Sequence, residues 1–252
     1  MPSALVFGTF APDLEYFIRL APGGGWGHTI TGAFGLSLPL GLLALWLFHR
    51  AVKLPLACLL PDRVRSRLTP QLAPFRFGPP LRFLLIVVSL LLGIATHLFW
   101  DGFTHEHYWG AHYFAFLLRD VRLPVLGYYP WFAILQNISS VAGLAILALW
   151  SLAWLRHAAP DPSVPVNPFS PARRVIIVLG AVTVAVVGAV ARAYLDLGIP
   201  ENRDEIDEFL NRFVVTTGAL LWWQLTAWGL FGSFRHPRPA RPRDRAPARR
   251  PA

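Results

Sequence analysis

Five runs of apolar residues are long enough, or nearly so, to cross a bilayer as helices: Gly32 to Phe48, Leu81 to Trp100, Ile134 to Leu155, Val175 to Leu195 and Phe213 to Phe231. At about 1.5 Å of rise per residue, roughly 20 residues cover the ~30 Å of hydrocarbon. The runs are mostly Leu, Val, Ile, Ala, Phe and Gly, with none of the period-two alternation of a membrane barrel. A segment immersed in lipid must satisfy its own backbone hydrogen bonds. The pattern therefore predicts an all-α, polytopic transmembrane helix bundle of about five spans. The opening run, Pro2 to Phe10, is apolar but too short to span alone. Two readings fit it: the end of a longer helix that starts upstream of Met1, or a re-entrant segment.

Charge between the runs sets the orientation, because Arg and Lys in short loops favour the cytoplasm. The loop after the first run carries Arg50, Lys53, Arg63, Arg65, Arg67, Arg76 and Arg82 against Asp62 alone, and the loop after the third carries Arg156, Arg173 and Arg174. Both are expected to be cytoplasmic. Asp101 to Pro130 and Asp196 to Asn211, the second with Glu201, Asp204, Glu205, Asp207 and Glu208, then fall outside. Two units follow: a transmembrane domain over 1–234, and a disordered cytoplasmic tail over 235–252 that repeats Arg, Pro and Ala without an apolar face.

Composition agrees and excludes other classes. With 54% hydrophobic and 15% charged residues, the 252-residue chain is too apolar for an ordinary soluble domain, so the bilayer is its main partner. The net charge of +9 does not point to nucleic acid, because the basic residues sit in loops and tail and not as a stripe on a folded face. The single cysteine, Cys58, excludes an internal disulfide and a thiolate cluster, and reads as a small apolar residue. A metal site would have to use His, Asp and Glu. The N-terminus lacks a signal-peptide pattern, so its apolar start is expected to stay in the fold.

The polar residues with chemical potential gather at the non-cytoplasmic ends of the runs. Asp13 and Glu15, in Pro12-Asp13-Leu14-Glu15, and His28, in Gly27-His28-Thr29, precede the first long run; the second ends in His97, Asp101 and His105, spaced four apart. If that helix continues one turn past Asp101, the three stack on one face, although Gly102 weakens the continuation. Carboxylates with imidazoles suit Zn²⁺, Mn²⁺ or Fe²⁺, as one ion or two. Other readings fit the same residues: a lone helix-end His caps or anchors, and Pro12-Asp13 is an ordinary turn and N-cap signal. Ionisable groups near membrane depth, however, are costly and tend to be paired or functional. His107 and His112 read as interfacial, His49 as a snorkelling cytoplasmic anchor, His157 and His236 as loop and tail residues, and Arg192 with Asp196 as a local ion pair.

Several of these stretches, taken in order, resemble an uncharacterised bacterial family of polytopic membrane proteins, a domain-of-unknown-function family akin to the membrane-bound metal-dependent hydrolases, a group labelled LexA-binding and inner-membrane-associated. The resemblance rests on Ala11-Pro12-Asp13-Leu14-Glu15-Tyr16, Gly27-His28-Thr29, Phe48-His49-Arg50, Thr96-His97 through Trp100-Asp101 to Thr104-His105, and Leu135-Gln136 with Ser139-Ser140. It covers roughly residues 4 to 155. Two departures stand out: such proteins usually begin with a further helix bearing an early Ser-His, and the His that often follows the Gln is here Asn137. The resemblance implies a bacterial inner-membrane hydrolase. Joined to the residue pattern, it leads us to expect a metal-dependent enzyme, with Zn²⁺ favoured, that cleaves an ester or phosphoester of a lipid or envelope molecule at the extracytoplasmic interface. Asp13, His28, His97, Asp101 and His105 would be ligands and Glu15 the base for the attacking water. The alternative is a non-catalytic scaffold or partner-binding protein whose polar cluster braces helix ends. A transporter fits less well, with neither an acidic relay within the runs nor matched broken helices.

Overall fold

In a computed structural model of the protein, which describes residues 1–23, 25–124 and 127–232, each apolar run folds into a helix that outlasts the run that predicted it. The helices are α1 (Pro2–Phe10), α2 (Leu14–Arg19), α3 (Ile30–Leu59), α4 (Pro80–Thr104), α5 (Trp131–His157), α6 (Pro171–Leu197) and α7 (Arg203–Phe231). Their starts follow local chemistry. Pro80 and Pro171 occupy first-turn positions, where a missing N–H costs nothing. The side chains of Thr29, Ser170 and Asn202 accept the backbone N–H of Gly32, Arg173 and Glu205, each satisfying a donor left open by the first turn. The predicted tail, with His236, lies outside the described residues.

Four of these helices, α3, α4, α5 and α6, are long and apolar enough to cross a membrane, so the chain is an all-α membrane bundle. The fifth predicted span, Phe213 to Phe231, is helical inside α7, but charges fill the first half of α7, and Thr216, Thr217 and Gln224 interrupt the second. α7 still packs along α2, α3 and α6. A short antiparallel ribbon, Asp120–Leu123 with Gly127–Pro130, is the exception to the helical pattern among the described residues.

The sequence pattern ended the first span at Phe48, yet α3 runs on to Leu59 through π-helical turns at Ala33–Ser37 and Phe48–Val52. Polar residues after Phe48 find partners inside the protein, which lets the helix continue. Lys53 is buried and donates to the Ala73 carbonyl at 2.7 Å. His49 stacks on Phe75 with ring centroids 3.9 Å apart and meets Ser3 Oγ at 3.2 Å. His49 is therefore a packing residue, in place of the snorkelling anchor expected.

The opening apolar run becomes α1, packed along α4 at paired glycines. A Cβ on Gly93 would stand 2.3 Å from the Leu5 carbonyl oxygen, and one on Gly8 2.3 Å from that of Leu90. Only glycine permits such backbone proximity, the usual device for close helix contact in lipid. Beside it lies the core of Ala4, Leu45, Ile86 and Leu90, all fully buried. This contact matters for the site, because it fixes the end of α1 beside the end of α4. α5, with no buried residue, stands at the edge of the bundle.

At the Arg-rich end the loops tie to each other. Arg65 Nη1 donates to the Pro165 carbonyl at 2.7 Å, Arg174 donates to the Leu60 carbonyl at 2.7 Å and to Asp62, and Asn167 donates to the Cys58 carbonyl at 3.1 Å. At the opposite end Arg192 pairs with Asp196 at 3.2 Å, as the i,i+4 spacing predicted, and Arg212 of α7 joins the same carboxylate.

Candidate metal centre

Three chain segments converge at the end of the bundle away from the Arg-rich loops. The first is the 3₁₀ turn Ala11–Asp13 that links α1 to α2, with Pro12 buried. The second is the 3₁₀ turn Trp26–His28, capped into α3 by Thr29. The third is the last two turns of α4. Gly27 lets the second segment seat on the first: a Cβ there would lie 2.7 Å from the Pro12 carbonyl oxygen. Ser37, in the first π turn of α3, donates to the Gly27 carbonyl at 2.9 Å and holds the segment from the other side.

The result is a tight polar cluster. His28 Nε2 lies 3.2 Å from Asp13 Oδ1, 3.4 Å from Asp101 Oδ2 and 3.4 Å from His97 Nε2. His97 Nε2 lies 3.0 Å from Asp101 Oδ2 and 3.8 Å from Asp13 Oδ2. Ligand-type atoms of Asp13, His28 and His97 all fall within 4.8 Å of one another. Four ligands about 2.05 Å from a tetrahedral ion stand roughly 3.3 Å apart, so the spacings from 3.0 to 3.8 Å match a coordination shell. The same contacts also lie within reach of hydrogen bonds and ion pairs, with His97 Nε2 and Asp101 Oδ2 at 3.0 Å, and Asp101 falls outside the group of three whose ligand atoms are all mutually close. The His28 side chain is only 5% exposed, Asp101 13% and His97 15%, while Asp13 at 37% marks the open side.

The other expected site residues stand further out. α4 does continue past Asp101, but only to Thr104; His105 is its C-cap with extended backbone. Its Nδ1 is 3.8 Å from Asp101 Oδ1 and 3.2 Å from Thr104 Oγ1, and its side chain is 44% exposed. Gly102 does not break the helix: it makes room for Trp109, whose Nε1 would be 2.8 Å from a Cβ. Glu15 faces its own neighbours, with Oε2 accepting the Gly27 N–H at 3.4 Å and Oε1 pairing with Arg19 at 3.4 Å. His107 and His112 are exposed, and His157 meets its own helix at the Ala153 carbonyl, 2.7 Å away.

Two tyrosines complete the surroundings. Tyr16 stacks on His28, centroids 5.9 Å apart, and Tyr108 lies 6.4 Å from His28 and 5.8 Å from His105. Burial, reinforced by Asp13, raises the Tyr16 phenol far above its ordinary range; burial, then Asp101 and Asp13, raises Tyr108. Both remain protonated donors at neutral pH. Tyr16 lies inside a motif the sequence brought forward, but Tyr108 sits in an aromatic-rich loop that carried no separating signal.

The cluster falls wholly within the part of the chain that matches a known family: residues 1–229 match the profile of DUF4184, described as a domain of unknown function. The chain belongs to the DUF4184 family. No curated protein and no solved structure matches it. The DUF4184 region includes α1 to α6, nearly all of α7 and every residue of the cluster, and ends before the Arg/Pro/Ala tail.

Proposed function

We propose that this DUF4184 protein is a membrane-embedded, metal-dependent hydrolase of an ester or phosphoester, drawn from a lipid or another envelope molecule, with its site at the extracytoplasmic interface. The observation that carries the reading is the convergence of Asp13, Asp101 and His97 on His28 Nε2 at 3.2 to 3.4 Å, a gathering of nitrogen and oxygen donors that one cation would satisfy. In this reading His28, His97, Asp13 and Asp101 hold the ion, with His105 at the edge. A nitrogen and oxygen donor set without thiolate suits Zn²⁺, and Mn²⁺ or Fe²⁺ also fit. A bound divalent cation supplies a Lewis acid that polarises the scissile group and generates a nucleophile from water near neutral pH.

The protein side of the chemistry follows from position. Asp13, the most exposed of the four, borders the face through which substrate arrives, while His28 and Asp101 close the inner face against solvent. Glu15 takes the proton of the attacking water, its carboxylate steadied by the Gly27 N–H next to His28 and by its pairing with Arg19. Tyr16 and Tyr108 offer neutral O–H donors to an oxygen that gains charge.

A bracing role is the second reading, favoured by the direct 3.0 Å contact of His97 with Asp101 and by the way the same contacts join three chain segments. Metal analysis of the purified protein separates the two. The hydrolase reading expects one stoichiometric divalent ion, lost in His97→Ala and in Asp101→Ala while the bundle stays folded. Glu15→Gln should keep the ion and lose turnover, and His157→Ala, at the far end, should change neither. Protein that takes up no ion under any loading condition, with Ala variants that lower thermal stability instead, would establish the brace.

A further inference from the structure

A second candidate site lies at the opposite end of the bundle. α3, α6 and α7 enclose a groove of about 650 Å³ whose walls include Leu56, Ile177, Val184, Leu221 and Trp228, with Arg173 at one end. The amide nitrogen of Gln224 is already committed, donating to the Ala181 carbonyl at 3.3 Å, and the walls offer an occupant mostly apolar surface. From Arg173 to Val184 the groove follows α6 for about 16 Å at 1.5 Å per residue, close to the ~15 Å depth of one leaflet of a ~30 Å hydrocarbon core.

The mouth has a charge to match. Arg173 is exposed, and its guanidinium rests 5.0 Å over the Phe169 ring. Among the described residues no carboxylate pairs with it, whereas its neighbour Arg174 is buried and paired with Asp62 at 3.1 Å. The loop charges assign this end to the cytoplasmic leaflet, where anionic lipids concentrate and basic pockets between helices receive headgroups.

We propose that this groove is a binding site for one anionic glycerophospholipid of the cytoplasmic leaflet, with an acyl chain along α6 and α7 and the headgroup phosphate at Arg173. The site is independent of the metal cluster and of any turnover there. Full-length protein in detergent, titrated with phosphatidylglycerol or phosphatidylcholine of identical acyl chains and read by native mass spectrometry and thermal shift, tests it; glycerol 3-phosphate serves as the headgroup alone. Phosphatidylglycerol should bind at least about fivefold tighter, the factor equivalent to about 1 kcal/mol for one cationic side chain at an anionic surface. Arg173→Gln, which leaves the Ser170 cap on the Arg173 backbone N–H intact, should cut that preference below twofold. Gly180→Leu, built into space where a Cβ meets nothing within 4 Å, should fill the groove and weaken both lipids. Equal affinity for the two lipids in the native protein, a preference that survives Arg173→Gln, unchanged binding in Gly180→Leu, or glycerol 3-phosphate binding as tightly as the lipid would each overturn the proposal.

Discussion

Gly27→Ala is the most exacting perturbation of the candidate centre, because it leaves every donor atom in place and changes only a distance. The added Cβ would stand 2.7 Å from the Pro12 carbonyl oxygen, whereas ordinary contact begins at 3.4 Å, so the segments carrying Asp13 and His28 must separate by about 0.7 Å (3.4 − 2.7). Metal–ligand distances tolerate about ±0.2 Å. The displacement exceeds that several-fold and falls on the His28–Asp13 edge, 3.2 Å long. We expect metal affinity to fall about 10- to 100-fold, the range that follows from disturbing groups that orient ligands, or roughly 1.4 to 2.7 kcal/mol. Overpacking should lower stability by about 1 to 3 kcal/mol without preventing folding. Competition with a chromophoric chelator measures the affinity, and thermal unfolding in the presence of chelator measures the stability apart from the ion. Gly25→Ala is the control, since a Cβ there meets nothing within 4 Å. If Gly27→Ala bound metal within twofold of the native protein, the close approach at Gly27 would not set the ligand spacing, and the coordination-shell argument would fail.

Three other outcomes follow from the fold. Gly93→Val should lower the melting temperature by several degrees and loosen the His97 region, because its Cβ would meet the Leu5 carbonyl at 2.3 Å and push α1 off α4; an unchanged melting temperature would refute the tight contact. Bonds from Arg174 at 3.1 and 3.2 Å hold the Asp62 carboxyl below its ordinary value near 3.9. With the folded value depressed, that stabilisation is present above about pH 4 and is lost as pH falls through the folded value. Asp62→Asn should therefore melt earlier than the native protein at pH 7, with the gap closing in acid; a gap independent of pH would count against the pairing. In cells with Cys58 replaced, a cysteine at the exposed Arg63 should be shielded from an impermeant maleimide and one at the exposed His107 labelled, and the reverse result would invert the membrane orientation.

The sequence by itself determined the class of fold, the positions of the long helices, the segregation of charge to one end, and the six residues worth gathering into a site. Its physical basis is local: about 20 apolar residues in a row have few alternatives to a helix in lipid, and i,i+4 spacing places His97 and Asp101 on one face of that helix whatever surrounds it. Helix ends were less legible, because partners far along the chain decide them. Lys53 and His49 extend α3 only because Ala73, Phe75 and Ser3 fold back to meet them. Spacing put His105 on the helix face only if the helix ran a full turn past Asp101; α4 stops at Thr104 and leaves it at the rim. Tertiary structure alone decided which of the six polar residues meet. Asp13 and His28 lie 69 or more positions from His97 in the chain, and they reach it because glycines at 8, 27 and 93 let backbones approach within distances that any side chain would forbid. It also turned Glu15 toward Arg19 and Gly27, brought Tyr108 beside His28, and formed the groove between α3, α6 and α7. Contacts of this kind depend on the separation of surfaces to within a few tenths of an ångström, and one-dimensional spacing carries no record of that distance.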